Sequence, residues 1–418
     1  MVSVGVFIDL RWTTTAGGHV KCWEHFAEAA TAFPDQLDLT LHVLGDRKSV
    51  MPLSRHVRFV THPFRFSTER IFFLQDVPDH TDLAAYNPAL IPYLQQHQVV
   101  HTTHPLFTFG KTAYRYCLKS GKPLVTSIHT DTPQYARIYI EQTIAGLPTP
   151  TWFKRFLQNQ LQIPARYQAY LQAKREHYWR VCQHVWVSQP SDFDQASQVL
   201  PPDRISKLGR GINFENFSPQ KRDRTHLEQT YGILPDKFLL LFVGRLDVCK
   251  NVMVFAEAVQ MLLERGLPIH AIVAGQGKSA PEITAALGHH VSMLGNVQHQ
   301  DLGTIFASCD LFVFPSETEV LANVIVEAKA SGLPCLVSDK GGSYQMIKVV
   351  GEDGMIVSGR DPQVWADQIE ALYQNPKLLA HMGVQSSNHI RSHWPSWQSV
   401  LLQDLLPIWT AMVSRQMS

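Results

Sequence analysis

What most constrains this chain is a rhythm that runs through it twice. Short apolar runs rich in β-branched and aromatic residues alternate with longer amphipathic stretches, the pattern of strand–helix–strand units and parallel sheets. In the first half the runs fall at 3–8, 39–44, 57–61, 99–102, 124–128 and 184–187. In the second they fall at 238–243, 270–274, 291–294, 311–314, 335–338 and 354–357. A chain of 418 residues exceeds one ordinary core. The expectation is therefore an α/β protein with two doubly wound domains, 1–208 and 209–392, facing each other across a cleft. Residues 213–237, with Pro219, a charged Lys221–Arg224 cluster and Pro235, read as a hinge linker followed by one helix. Residues 393–418 read as a terminal helix packing back toward the first domain, with a kink expected at Pro407. In doubly wound sheets, ligands sit beyond the carboxyl ends of the strands.

Composition removes several classes. Net charge is only +1, so no whole-protein field draws in nucleic acid. The six cysteines lie far apart with no C-x-x-C pair, which argues for a reducing compartment and against a zinc site. Asp9 and Arg11 directly follow the first apolar run, and no basic segment precedes it, unlike a signal peptide. No apolar run reaches the roughly 18 residues that span a bilayer. A cytoplasmic protein, or one peripheral at the inner face of a membrane, is expected.

The most informative segment is Leu311–Pro334, LFVFPSETEVLANVIVEAKASGLP. A strand ends at Pro315-Ser316 and a helix is expected from about Leu321, stopped by Gly332 and Pro334. Glu319 then lies in the loop above the helix N-terminus, and Glu327 one to two turns inside. A loop carboxylate can accept hydrogen bonds from sugar hydroxyls, and the free N–H groups beside it suit a sugar or phosphate oxygen. Glu327, between Val326 and Ala328, needs a partner such as a ribose diol. Taken alone, the same pair fits a dipole complement and a solvated helix residue.

The full setting, F-P-S-E-T-E…E-A-x-A-S-G-L-P, resembles the family-4 retaining glycosyltransferases of the GT-B fold, the lipid and glycan glycosyltransferases of group 1 type. The resemblance implies that Glu319 faces the donor sugar, that Leu321, Ala322 and Asn323 line the donor site, and that Glu327 binds the nucleotide ribose. Arg245 and Lys250, in Phe242–Asn251, match the family's G-R-x-x-x-x-K element. Paired cations there can stabilise a departing nucleoside diphosphate without a metal. The only Asp-x-Asp, Asp192-Phe193-Asp194, reads as helix capping rather than a metal site. Gly275 and Gly277 follow a strand where backbone can approach a base or phosphate, and Gly17 and Gly18 occupy the first strand–helix junction.

In Val125–Tyr135 the resemblance makes His129 a residue of the reacting centre. Its H-T-D-x-P-x-Y wording is similar to the lipid-glycosylating subgroup, which puts Asp131 and Tyr135 beside the acceptor. The implied activity is retaining, metal-independent transfer of a hexosyl group from a UDP- or GDP-sugar to a lipid or glycan, with His129, Glu319, Arg245 and Lys250 as catalytic residues and no cofactor. Trp152-Phe153-Lys154-Arg155-Phe156 mixes aromatic and basic residues as interfacial segments do, which admits peripheral membrane contact. Ala322, Lys329 and Gln345 depart from the family's usual residues, and Ala322 and Gln345 feed an alternative, an inactive GT-B scaffold that binds a nucleotide or partner. A nucleotide-sugar epimerase and an NAD-dependent dehydrogenase are the remaining rivals; the latter lacks G-x-G-x-x-G after the first strand.

Overall fold

The structure, a computed structural model, describes all residues except 14–17, 72–79, 189, 320–321 and 418. The chain divides into two compact units, Met1–Gly209 with Trp397–Ser418, and Arg210–Ser396.

The first unit holds an eight-stranded sheet in the order β3-β4-β2-β1-β5-β6-β7-β8. Its strands are β1 (Val2–Arg11), β2 (Leu37–Gly45), β3 (Ser49–Pro52), β4 (Val57–Pro63), β5 (Val99–Thr102), β6 (Leu124–Ser127), β7 (His184–Val187) and β8 (Ile205–Lys207). All pairs are parallel except β3 with β4. Parallel strands covered on both faces must be apolar nearly throughout, and β1 is buried from Val4 to Leu10. The final segment Trp397–Ser418 belongs to this core. Trp409, fully buried on the helix Leu406–Met417, and Trp397, stacked on His25 at 5.0 Å, anchor it. Burying an indole of that size contributes roughly 4–6 kcal/mol before entropy is subtracted. Rather than a simple kink at Pro407, the segment carries a π turn over Leu401–Leu405, ending two residues before the proline, whose ring nitrogen cannot donate to the ladder.

The second unit holds six parallel strands in the order β11-β10-β9-β12-β13-β14. They are β9 (Phe238–Val243), β10 (Ile269–Ala274), β11 (Val291–Gly295), β12 (Leu311–Phe314), β13 (Cys335–Ser338) and β14 (Met355–Val357). The hinge linker expected at the start of 213–237 is instead part of this unit, while the one helix expected after it is present at Arg224–Tyr231. Residues 213–237 are built into this unit, because Phe217, Leu227 and Ile233 are core residues. The Asn216 carbonyl packs so closely on Gly303 that a Cβ there would lie 2.0 Å from it.

Candidate functional site

In the second unit, the loops beyond the carboxyl ends of β9, β10 and β12 are tied to one another. Gly244 N–H donates to Ala274 O at 2.9 Å, and Leu246 N–H to Gln276 O at 3.0 Å. This zipper explains the glycines: a Cβ on Gly275 would lie 1.8 Å from Gly244 O, and one on Gly277 2.2 Å from Leu246 O. The close backbone approach expected of Gly275 and Gly277 is thus made by the protein's own chain, and it holds the loop that carries Arg245. Asp247 caps the short turn Val248–Lys250, and Arg245 Nε lies 3.5 Å from Asp247 Oδ2.

That turn is fastened to the loop after β12. Asn251 Nδ2 donates to Pro315 O at 3.0 Å and Thr318 Oγ1 to Cys249 O at 3.0 Å. The result is a direct ion pair between Lys250 Nζ and Glu319 Oε1, both largely shielded from solvent. Ser316, fully buried, donates to the same carboxylate oxygen at 2.8 Å, and Gly342 N–H donates to Glu319 O at 2.7 Å. Glu319 is therefore oriented from three sides. Leu321 lies outside the described residues, as does Gly17. Ala322 immediately precedes the helix Asn323–Ala330, which starts two residues later than the sequence suggests. Asn323 begins its first turn, and Glu327 lies one turn further in, buried, with Oε1 3.1 Å from His299 Nε2.

His299 is a site residue that sequence reasoning missed. It opens the helix His299–Ser308 after β11, and nothing in its neighbourhood of sequence links it to a carboxylate 28 positions away. Lys329 was singled out as a departure, and the structure gives its reason. Its ammonium is fully buried and donates to Asp353 Oδ2 at 2.7 Å and Met346 O at 2.6 Å. Burial opposes ionisation of Asp353, but the Lys329 ammonium and the N–H groups of Val349 and Lys348 outweigh it and keep its carboxyl below the usual carboxylate range. Lys329 is thus an internal brace.

In the first unit, Gly18 begins the helix Gly18–Ala30, and a Cβ there would meet nothing within 4 Å among the described residues. His129 lies just past β6, buried, and its ring stacks on His19 at 4.4 Å. Indole N–H groups only donate, which assigns the proton positions. Trp409 Nε1 donates to His101 Nδ1 at 3.2 Å, so neutral His101 carries its proton on Nε2, 2.9 Å from Ser127 Oγ. Ser127 Oγ is in turn 2.7 Å from His129 Nε2, which also accepts from Trp23 Nε1 at 3.1 Å. His129 is thereby assigned as the tautomer protonated at Nδ1, a hydrogen-bond donor. Burial pushes His101 down to about 3, so it remains neutral near physiological pH.

Asp131 caps the helix Thr132–Gly146, accepting from Gln134 N–H, and Tyr135 lies in that helix's first turn. Asp192, expected only to cap a helix, is buried 3.8 Å from Arg175 Nη1, and desolvation raises its carboxyl to about 6. Among the described residues no His, Cys, Asp and Glu side chains gather into a group of three that could hold a metal ion. Trp152 and Phe156 of the aromatic–basic segment are exposed. No helix among the described residues is long and apolar enough to cross a membrane. All six cysteines are buried free thiols.

Two doubly wound units of this topology define a GT-B protein. The chain matches sucrose-phosphate synthase from Thermosynechococcus elongatus with a TM-score of 0.67 at 15% identity, covering 100% of this chain and 99% of the other. It matches Anabaena HepE in complex with UDP and glucose with a TM-score of 0.64 at 14% identity, covering 99% and 98%. Residues 237–375 match the family of group 1 glycosyl transferases. The D-inositol 3-phosphate glycosyltransferase of Corynebacterium diphtheriae is 32% identical over 200 residues, 45% of this chain and 47% of that protein. The enzyme of the same name from Paenarthrobacter aurescens is 30% identical over 205 residues, 47% and 49%. The chain spans about half the length of the curated relatives it matches. The chain has the GT-B fold, and it is within its second unit that the match to group 1 glycosyl transferases lies.

Proposed function

We propose that the protein is a retaining, metal-independent glycosyltransferase that moves a hexosyl group from a UDP- or GDP-sugar to a lipid or glycan acceptor. The observation that carries this reading is the Lys250–Glu319 pair fixed beyond β9 and β12, with Glu327 one turn inside the adjoining helix. Structures of HepE hold UDP and UDP-glucose, which favours a nucleotide-sugar donor here. The base would lie near Gly275–Gly277, the ribose on Glu327, the diphosphate on Arg245 and Lys250, and the sugar on Glu319. The bond from the sugar's anomeric carbon to the phosphate oxygen breaks, and the two cations stabilise the charge that develops. The acceptor oxygen bonds to the same face of that carbon and gives its proton to the leaving phosphate.

Asp131 and Tyr135 would border the acceptor, and His129, protonated at Nδ1, would donate a hydrogen bond in the reacting centre rather than take a proton. Exposed Trp152 and Phe156 beside Lys154 and Arg155 favour peripheral contact with an anionic membrane face. The test is calorimetry with UDP-, GDP- and ADP-sugars on the wild type and on Glu327→Ala and Arg245→Ala. One nucleotide should bind, undisturbed by a chelator, and lose at least tenfold in affinity in both variants. Binding of none would sink the transferase reading and favour the inactive scaffold.

A further inference from the structure

Beside His129, in the first unit, lies a second group of polar residues, of which only Asp131 has a place in the reading above. Arg175, on the helix Ile163–Val181, is 4% exposed. One of its nitrogens, Nη2, donates to Gln195 Oε1 at 2.5 Å, and its guanidinium lies over the Trp179 ring at 4.8 Å. Its Nε and Nη1 are buried without a hydrogen-bond partner. The carboxylate oxygens of Asp131 and Asp192 stand at 3.6 and 3.8 Å from Nη1, close enough for charge balance and too far for hydrogen bonds. His104 Nδ1 and Asp192 Oδ2 are likewise buried and unpartnered. Arg175 and His104 line one small cavity with Thr130 and Thr132, at the N-terminus of the helix that Asp131 caps. Leaving so many buried donors and acceptors unmet costs on the order of 1–3 kcal/mol each, which a bound polar group would recover.

Size and charge decide what that group is. The cavity measures about 10 Å³, the room taken by a single water or hydroxyl oxygen, and too little for a phosphate. One guanidinium faces two carboxyl groups, and His104 is held neutral, pushed by burial down to about 3. The cluster is therefore neutral or negative and repels an anion, while it offers both donors and acceptors. A hydroxyl, which donates and accepts at once, satisfies both.

Resting on the transferase reading above, we infer that the cavity lined by Arg175 and His104, with Asp131 and Asp192 set against the Arg175 guanidinium, is an acceptor subsite that seats one hydroxyl of an uncharged polyol head group and disfavours its phosphorylated counterpart. Arg175 and Asp192 are specificity-determining residues for the acceptor. This separates the chain from relatives whose names specify inositol 3-phosphate.

Saturation-transfer NMR on the full-length protein tests it with glycerol against glycerol 3-phosphate, and myo-inositol against myo-inositol 3-phosphate. UDP binding is measured in the same samples. The neutral member of each pair should bind at least tenfold more tightly, and Arg175→Lys should abolish that preference. Asp131→Asn keeps a helix-capping side chain and removes one charge. It should improve binding of the phosphorylated member on the order of tenfold, which a purely structural role would not do. Preference for the phosphorylated member, or no polyol binding by protein that binds UDP, overturns the inference alone. Polyol binding of the expected selectivity with no nucleotide binding supports the subsite and overturns the transferase reading alone.

Discussion

The two units handle polar groups in opposite ways. In the second, the candidate site is made of full charges, Lys250 against Glu319 and Arg245 beside Asp247, set in loops that are cross-linked strand to strand. In the first, the polar interior is largely histidines that burial holds neutral, beside an Arg175 whose charge Asp131 and Asp192 balance. His62 and His97 are pushed down to about 4, His101 and His104 to about 3, and His42 well below its usual value. His42 bridges the other two, with Nδ1 2.9 Å from His62 Nε2 and Nε2 2.9 Å from His97 Nε2. A charged site suits a diphosphate, whose departure must be stabilised. A neutral, hydrogen-bonding one suits an acceptor recognised by its hydroxyls.

The largest expected effect follows from those histidines. Their folded values lie below the unfolded value of about 6.5, so the stability they contribute is complete above pH 6.5. It is lost as pH falls toward their folded values, at about 1.4 kcal/mol per pH unit for each. Taking the pH from 7 to 5 should remove on the order of 5 kcal/mol from the first unit, net of the opposite contribution of Asp9 and Asp192, whose carboxyls burial raises to about 8 and about 6. Urea titrations at several pH values, with proteolysis to map which unit opens, should show 1–209 opening first. Earlier opening of the second unit would break the contrast.

Next is the internal brace of the second unit. Asp353→Ala leaves the Lys329 ammonium buried and unpaired, which should cost about 3–5 kcal/mol in denaturant unfolding. Replacing both residues, as in Lys329→Met with Asp353→Leu, should cost much less. The folded Asp353 carboxyl is depressed, so its contribution is present above about pH 4 and fades only as pH falls below that, after the pH 7 to 5 interval in which the histidines already act.

Lys250→Ala removes a cation from the departing diphosphate and frees Glu319. It should lower kcat on the order of 10²–10³-fold, read by nucleotide release under saturating donor. The smallest effect is expected for Trp409→Phe, which removes the donor that sets the His101 tautomer while keeping the ring. A few-fold loss of kcat, with a changed ¹⁵N signature of His101 and an unchanged UDP affinity, would locate the effect in the first unit.

The same contrast explains what was legible in the sequence. Buried parallel strands announce themselves as apolar runs, and the main strands of both sheets fall where the runs are. The two strands the rhythm missed are β3, whose four residues are all exposed, and β8, only three residues long; neither carries a buried apolar run. Segment Leu311–Pro334 was legible because Ser316, Glu319 and Glu327 lie close in sequence, and the loop's course follows from where β12 ends. His299 with Glu327, Lys329 with Asp353, and Arg175 with Asp192 were not, since each pair spans 17–28 positions and forms only by tertiary packing. The 213–237 segment was misread because its prolines and charges mark turns equally well in a linker and in a chain wrapped over a core.

The most direct test of the central claim is to follow a UDP- or GDP-hexose and a polyol-headed acceptor by proton NMR in the presence of a chelator. Acceptor-dependent release of nucleoside diphosphate is expected, with a product whose anomeric coupling matches that of the donor. Inversion of that coupling, or turnover that stops when metal is removed, would contradict the claim.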